Sequence, residues 1–230
     1  MWRRHWDIHK AQGLAPGLFI SSGWGDRAWR GFVAEAEKRQ PAMGKLVITR
    51  PVYEEIVAHA RAGYPLEVCG LLSGRRGIAD VIWRACNVAA NPRLDYEMDP
   101  QTLLKQFDFE EQGQEMVAIY HSHPESPAYP SATDALRAYY PDSVYVICSL
   151  EDADRPVVAA FHMGQGDAEP IAILPSDVER VRGRADLLMR CFQAAGGRPA
   201  RYELYTVADE QRISRQIVEV EEVEVEISPG

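Results

Sequence analysis

The sequence lacks a surplus of positive charge, a long apolar run and an apolar leader. Its 230 residues contain 25 Lys and Arg against 34 Asp and Glu, a formal net charge of -9. Phosphate backbones bind basic surfaces, so we expect no nucleic-acid partner. No apolar run approaches the roughly 20 residues of a membrane-spanning helix. The basic N-terminus lacks the apolar segment of a signal peptide, so we expect no membrane partner and a cytoplasmic protein.

Cysteine is scarce, and no two cysteines form a C-x-x-C pair. Three of the four occur in apolar, strand-like runs. This usage predicts buried free thiols in a reducing cytoplasm, because structural disulfides are rare there. The residues concerned are Cys69, Cys86, Cys148 and Cys191.

The composition divides the chain into three parts. Residues 1–43 contain four of the five tryptophans and show no clear period. We interpret them as an extension, disordered or translated from a misplaced start, since a strand-like Gly-Lys-Leu-Val-Ile follows Met43. The alternative is a tryptophan-anchored arm that packs on the core or on a partner. Residues 44–175 have the pattern of a folded domain, and residues 176–230 that of a C-terminal appendage with an acidic tail.

Residues 44–175 alternate between strand-like and helix-like segments, which predicts an α/β fold with a mixed central β-sheet and about three helices. Proline at a first helical position and Ser or Asp at a cap mark the helix starts. The expected helices begin at Pro51, at Asp99 with a buried stripe of Leu103, Leu104 and Phe107, and at Ser131, the last extending to Tyr140. The expected strands are Leu46–Thr49, Glu67–Ser73, Asp80–Val88, Met116–Ser122, Val144–Leu150, Val157–His162 and Ile171–Leu174.

The C-terminal part gives weaker patterns. Asp177 could cap a helix that continues to Phe192, and Tyr202–Val207 is typical of a strand. In Ile217–Ile227, valine alternates with glutamate, which indicates an exposed edge strand or a solvated tail.

One stretch combines residues that suit metal chemistry. His121 and His123 end an apolar strand, and side chains at i and i+2 of a strand point to the same side. Two converging imidazoles suit a divalent metal of the zinc type. Asp134, delivered by the next helix, could complete a three-ligand site. Three protein ligands leave a position for water, which is the arrangement of catalytic zinc rather than structural zinc.

The spacing His-x-His-x(10)-Asp, with Ser131 three residues before Asp134, resembles the signature of the JAMM metallopeptidases, also called MPN-plus domains. The upstream segment Glu67-Val-Cys-Gly-Leu-Leu is similar to the family's strand that follows a catalytic glutamate. The resemblance covers about residues 44–175. It implies a JAMM/MPN-like fold with layering like that of cytidine deaminase.

The resemblance also implies a role for each residue. His121, His123 and Asp134 would bind one Zn2+ per chain. Glu67 would be the general base that accepts a proton from the attacking water and passes it to the leaving amine. Ser131 would donate a hydrogen bond to the developing oxyanion.

Each of these residues also has a simpler interpretation. An acidic residue before a strand is common, so Glu54, Glu97 and Glu125 are alternatives to Glu67. Ser131 could be a helix N-cap alone or combine both roles. We expect Cys69 to be a small core residue, although it could line the floor of the site.

The remaining histidines have no metal-site pattern of comparable strength. We expect His59 and His162 to be structural and without partners. His5 and His9 have helical spacing, but their flanking residues are not helical.

Within the JAMM family, this chain resembles short prokaryotic members through Glu-x-Cys-Gly-Leu-Leu and His-Ser-His-Pro-x-Ser. The resemblance implies hydrolysis of the peptide or isopeptide bond after the C-terminal Gly-Gly of a small ubiquitin-like sulfur-carrier protein. That carrier or its conjugate would be the partner. The alternatives are a non-peptidase JAB-domain scaffold or a protein like the DNA-repair-associated members, and a zinc hydrolase of a small amide.

Overall fold

The computed structural model describes residues 45–140, 143–165, 169–171, 187–193, 199–209 and 212–229. Within these residues the chain forms four helices and ten strands. The helices are α1 Arg50–Gly63, α2 Pro100–Leu103, α3 Lys105–Glu111 and α4 Ala132–Leu136. The strands are β1 Lys45–Thr49, β2 Cys69–Arg75, β3 Ile78–Ala85, β4 Glu115–His123, β5 Val144–Ser149, β6 Val157–Gln165, β7 Glu169–Ile171, β8 Leu187–Gln193, β9 Pro199–Asp209 and β10 Arg212–Ser228.

The strands form one mixed sheet in the order β1-β3-β2-β4-β5-β6-β10-β9-β8, and β7 pairs with β10. β4 pairs with β5 in parallel and with β2 antiparallel. The C-terminal residues of β10, 224–228, also pair with β1 in parallel, so the sheet closes on itself. The predicted α/β fold with a mixed central sheet is confirmed.

β4 lies in the middle of this sheet and separates two hydrophobic cores. Ala118 and Tyr120 face the core formed with α1, whose buried positions are Val52, Ile56 and Ala60. Ile119 faces the opposite core, which contains residues of β9 and β10. Because side chains alternate along a strand, His121 and His123 lie on the same face as Ile119. The histidines therefore lie on the face of the sheet that is away from α1.

The predicted helix after Asp99 exists but differs in its buried face. Asp99 caps α2, accepting a hydrogen bond from the Thr102 backbone amide. The helix is interrupted at Leu104, which changes the side that the next turn presents to the core. Leu104 and Phe107 are therefore 56% and 55% exposed, and Phe109 is fully buried instead. The prediction of Leu104 and Phe107 as buried residues is wrong.

The helix that Ser131 begins is also shorter than predicted. α4 contains only the five residues of Ala132–Leu136. The expected continuation to Tyr140 is wrong, because the chain leaves helical geometry at Arg137, the C-cap. What remains of the helix is the turn that carries Asp134.

The prediction of an edge strand or solvated tail at Ile217–Ile227 is wrong. β10 is an interior strand that lies between β6 and β9 in the sheet and also pairs with β1 at its C-terminal end. Its residues Val218, Val220 and Val223 are buried. Alternation of Val and Glu is typical of a strand with one buried face, and it does not reveal whether neighbours cover both edges.

Other C-terminal and N-terminal predictions have mixed outcomes. The strand predicted at Tyr202–Val207 is confirmed within β9. The helix predicted from Asp177 to Phe192 is wrong over Leu187–Phe192, which belong to β8, and its earlier part lies outside the described residues. The interpretation of residues 1–43 also lies outside them. The boundary between a 44–175 domain and an appendage stays a prediction, although β10 belongs to the same sheet.

The cysteine prediction is confirmed for two residues. Cys69 and Cys148 are buried free thiols, whereas Cys86 is a free thiol that is exposed. Cys86 directly follows β3, where the chain leaves the sheet. The side chain of Cys191 lies outside the described part. No helix among the described residues is long and apolar enough to cross a membrane.

Candidate metal centre

The end of β4 brings two imidazoles to one point. β4 is paired on both sides at this end, with His121 opposite Cys69 of β2 and His123 alongside Ser149 of β5. The intervening Ser122 points to the other face, where its hydroxyl accepts a hydrogen bond from the Val68 amide at 2.9 Å. His121 is 0% and His123 is 4% exposed. Neighbouring strands therefore hold both rings in the protein interior.

Asp134 reaches the same point from the first turn of α4. Ser131 is the N-cap, and its hydroxyl accepts a hydrogen bond from the Asp134 amide at 3.1 Å. The Asp134 Oδ2 atom accepts one from the Ser131 amide at 2.7 Å. This reciprocal capping box fixes the carboxylate relative to the helix start. The predicted N-cap role of Ser131 is therefore confirmed. Its role as an oxyanion donor stays a prediction.

The three predicted ligands converge. His121 Nε2 and His123 Nε2 are 3.1 Å apart. Asp134 Oδ1 lies 3.4 Å from His121 Nε2, and Oδ2 lies 3.4 Å from His123 Nε2. Two donors about 2.0 Å from a tetrahedral zinc ion are separated by roughly 3.3 Å, which these distances match. Two imidazoles and a carboxylate also form a donor set that zinc commonly takes, so the residues present fit the metal.

The His123 ring is oriented by a backbone contact. Its Nδ1 lies 2.7 Å from the Pro127 carbonyl oxygen. A carbonyl can only accept, so Nδ1 carries the hydrogen and the neutral ring presents the Nε2 lone pair to the centre.

The His121 ring is held in another way. Its Nδ1 is buried and has no hydrogen-bond partner in the described part of the chain. Tyr96 instead stacks on the ring, with centroids 4.4 Å apart and an interplanar angle of 20°. The plane of His121 is therefore set by an aromatic contact rather than by a hydrogen bond.

Burial and charge act against each other within the cluster. Burial lowers the pKa of His121. Burial also disfavours the charged form of His123, but the hydrogen bond that the protonated ring donates to Asp134, the negative charge of Asp134 and the bond to the Pro127 carbonyl together outweigh burial and raise the pKa of His123. Burial opposes ionisation of Asp134 as well, yet both imidazoles together hold the pKa of this carboxyl well below its usual range. The Asp134 carboxylate is therefore ionised. Its negative charge favours a positive charge beside it, which in the metal-free protein is a proton on His123.

Glu67 lies beside this cluster. The antiparallel register pairs Cys69 with His121, and the backbone of Val68 bonds Ser122. Continued by one residue, this register puts Glu67 opposite His123, on the same face of the sheet. Glu67 is only 7% exposed. Burial, and next the charge of Asp134, raise the pKa of Glu67 from 4.5 to about 7.

The alternative glutamates do not share this environment. Glu54, Glu97 and Glu125 are all exposed, and Glu125 forms an exposed ion pair with Arg93. Among the four candidates, only Glu67 is buried next to the histidines.

Asn87 was not identified from the sequence, although it connects Glu67 with the segment around Tyr96. Its side-chain amide donates to the Glu67 carbonyl at 2.9 Å and to the Asp95 carbonyl at 3.0 Å. Its Oδ1 accepts from the Ala89 amide at 3.0 Å and from the Glu97 amide at 3.1 Å. The two residues that flank Tyr96 are thus bonded by one side chain. An asparagine just after a strand was the only sequence signal for it.

Two other residues have plain structural roles. Cys69 is fully buried opposite His121, and burial raises the pKa of its thiol to about 12, so it is a neutral core residue. His59, expected to have no partner, has one: its Nδ1 lies 2.8 Å from the Tyr120 hydroxyl. His5 and His9 lie outside the described residues.

Known proteins resemble the part of the chain that contains this centre. The family described as prokaryotic homologs of the JAB domain matches residues 49–162. A desampylase of Haloferax volcanii is 42% identical over 112 residues, which are 46% of this chain and 81% of the relative. The chain belongs to this JAB-domain family.

Two further family relatives have named activities. A CysO-cysteine peptidase of Mycobacterium tuberculosis is 36% identical over 135 residues, 56% of this chain and 91% of the relative. A probable TtuB-protein conjugate cleaving protease of Thermus thermophilus is 36% identical over 130 residues, 56% of this chain and 83% of the relative. The predicted family is confirmed. The roles of the individual site residues stay predictions.

Proposed function

We propose that this JAB-domain protein is a zinc-dependent peptidase or isopeptidase that hydrolyses the bond after the C-terminal Gly-Gly of a small ubiquitin-like sulfur-carrier protein. The observation that carries the proposal is the buried group of His121, His123 and Asp134, whose ligand atoms all lie within 4.8 Å of one another, with Glu67 beside it. The peptidase class rests also on the relatives, which are named as a desampylase, a peptidase and a conjugate-cleaving protease.

His121 Nε2, His123 Nε2 and one oxygen of Asp134 would hold the zinc ion. When bound, such an ion polarises a carbonyl and lowers the pKa of water, which provides a nucleophile at neutral pH. The three side chains are already oriented for this by Tyr96, by the Pro127 carbonyl and by the capping box. Little side-chain ordering is therefore left to occur when the metal binds.

Glu67 is suited to move the proton. A carboxyl with a pKa of about 7 exists in both protonation states near neutral pH. It can therefore take a proton from the attacking water at a carboxylate oxygen and later give it to the nitrogen of the leaving amine.

Ser131 is suited to stabilise the negative charge that develops on the scissile carbonyl oxygen. Its hydroxyl oxygen accepts from the Asp134 amide, so the hydroxyl hydrogen is available for donation. Ser131 is exposed, and a substrate carbonyl can approach it. A single donor aimed at such an oxygen typically contributes a factor of roughly 100–1,000 to kcat.

The substrate class follows from shape and from the relatives. A scissile carbonyl that reaches a buried group at a strand end must be carried by a narrow segment. Gly-Gly is the narrowest segment available, and glycine adopts extended geometry without steric cost. A CysO-cysteine peptidase and a TtuB-conjugate cleaving protease are among the relatives, which supports a small carrier protein as the partner.

The test is to incubate the zinc-loaded protein with ubiquitin-like carriers extended past Gly-Gly by cysteine, a short peptide or a linked protein, and to weigh the products. We expect cleavage after the second glycine. The matched control is the same carrier with its last glycine replaced by valine, whose Cβ and methyl groups should block cleavage. A chelator should stop the reaction, and a serine-protease inhibitor should not.

Other results would change the assignment. Intact carriers together with hydrolysis of an unrelated small amide would support the small-amide hydrolase. A folded, zinc-loaded protein that cleaves neither would support a scaffold.

A further inference from the structure

A strand outside the family match contacts the loop that leads into the predicted metal centre. Tyr202 lies in β9, beyond the matched residues 49–162. Its hydroxyl donates a hydrogen bond to the Pro130 carbonyl oxygen at 2.5 Å. Tyr202 is 4% exposed, and Pro130 is buried as well. This is a buried contact between β9 and the loop that leads into α4.

The accepting carbonyl belongs to a peptide group that also bonds Asp134. Pro130 supplies the carbonyl of this group, and Ser131 supplies its N–H. That N–H donates to Asp134 Oδ2 at 2.7 Å, and the same Oδ2 lies 3.4 Å from His123 Nε2. A continuous chain of hydrogen bonds therefore runs from the Tyr202 hydroxyl through one peptide plane to the carboxylate.

We infer that Tyr202 is a positioning residue for Asp134. A hydrogen bond to a peptide carbonyl polarises the peptide and strengthens the bond that its N–H donates. It also prevents the plane from rotating, so Oδ2 keeps its direction toward the histidines. Groups that hold a metal ligand in this way commonly affect metal affinity by 10–100-fold. Strand β9 thus helps to orient a predicted ligand that itself lies within the family-matched segment.

Packing and hydrogen bonding by Tyr202 can be separated. Its ring lies in the core cluster with Leu204, Val218 and Val220, and Tyr202→Phe keeps the ring while removing the hydroxyl. Tyr205→Phe is the matched control. Tyr205 lies on the same strand, and its hydroxyl donates to Glu203 Oε1 at 2.6 Å rather than to the loop of Ser131.

The first measurement needs neither metal nor substrate. Amide hydrogen exchange at Ser131 in the metal-free protein reports the hydrogen bond that Tyr202 supports. Loss of one typical hydrogen bond corresponds to roughly fivefold faster exchange, which we expect for Tyr202→Phe. Tyr205→Phe should leave this amide unchanged. Equal exchange at Ser131 in wild type and Tyr202→Phe would overturn the inference, whether or not the protein is a peptidase.

The second measurement uses metal affinity and kinetics, and only its kinetic half rests on the proposed function. Competition with a chelator should give a zinc dissociation constant about tenfold higher or more for Tyr202→Phe than for Tyr205→Phe. With a cleavable carrier, kcat should fall while KM changes little, because the hydroxyl acts on the ligand set. A zinc dissociation constant within twofold of wild type in folded Tyr202→Phe would also overturn the inference.

Discussion

The ring of Tyr96 lies on the imidazole of His121, with centroids 4.4 Å apart and planes 20° from parallel. Since His121 Nδ1 has no hydrogen-bond partner in the described residues, this contact keeps the ring in position. Tyr96 is itself fixed through its neighbours, because Asn87 bonds the Asp95 carbonyl and the Glu97 amide. The placement of a predicted ligand thus depends on an amide outside the motif.

We predict that Asn87→Asp impairs catalysis without removing any site residue. The substitution puts one carboxylate oxygen against the carbonyls of Glu67 and Asp95 in place of the Nδ2 group that donates to both. We expect kcat to fall about tenfold or more, with KM little changed. Asn91→Asp is the control, since it adds the same charge at an exposed position of the same loop. If both variants give the same steady-state constants, Asn87 does not position the site.

Metal binding should depend on the three converging residues. Purified wild-type protein should contain about one zinc per chain by elemental analysis, because three ligands form one site. His123→Ala should lose both zinc and peptidase activity, whereas His59→Ala should keep zinc because His59 bonds Tyr120 instead. The metal assignment is wrong if the double variant His121→Ala, His123→Ala retains stoichiometric zinc.

Glu67→Gln should separate metal binding from proton transfer. Glutamine keeps the shape of the side chain and cannot accept the proton, so zinc content should be normal and turnover should fall by roughly a hundredfold or more. Glu54→Gln is the control at an exposed glutamate. Turnover at the wild-type level in Glu67→Gln would assign the general base to another residue.

The wild-type protein and Glu67→Gln should also differ in how pH affects their stability. The pKa of Glu67 is raised from 4.5 to about 7 in the folded state. Its contribution is therefore fully present below pH 4.5 and is lost as pH rises to about 7, since the unfolded chain releases the proton first. In chelator, the Tm of the metal-free wild type should fall relative to that of Glu67→Gln between about pH 5 and 7, then stay parallel to it. A Tm difference that does not change with pH would contradict the shifted pKa.

The two ends of the chain should differ in importance for folding. A chain that ends at residue 175 lacks β10, which buries Val218, Val220 and Val223 against the sheet. We expect it to be insoluble or to lose its cooperative unfolding transition. A chain that begins at Met43 keeps β1 and every predicted site residue, so it should fold and remain active. Heat denaturation followed by circular dichroism would test folding in both cases, and the carrier-cleavage assay would test activity. A cooperative transition in the chain that ends at residue 175 would show β10 to be dispensable, and an insoluble or inactive chain from Met43 would show that residues 1–42 are needed.

The sequence was most informative where function depends on local geometry. His121 and His123 share a strand, and Ser131 and Asp134 share one helical turn, so spacing alone predicts which side chains can converge. The residues that orient them come from elsewhere: Tyr96 from a loop, and Asn87 from the segment just after β3. Such contacts depend on tertiary packing, and the hydrophobic periodicity of a sequence does not predict which distant side chains will meet.

The fold was predictable to a similar degree. Hydrophobic alternation indicates strands but not their neighbours, which is why β10 was expected at an edge. Helical spacing indicated a buried stripe that included Leu104 and Phe107, but the interruption at Leu104 brought Phe109 to the core instead. One break in a short helix changes which side chains face inward, and the break itself has no strong sequence signal.

The parallel pair of β1 and β10 joins distant parts of the chain, with Lys45 opposite Glu224. At the usual rate of translation, on the order of ten to forty seconds separate the synthesis of these two residues. In the last part of that interval, once Gln165 has been made, β1 and β6 still lack β10 as a neighbour, although His121, His123 and Asp134 are already part of the nascent chain. The nascent chain thus contains the three predicted ligands before β9 and β10, whose residues fill the core on the same face of the sheet, so we expect metal binding to follow the synthesis of β10.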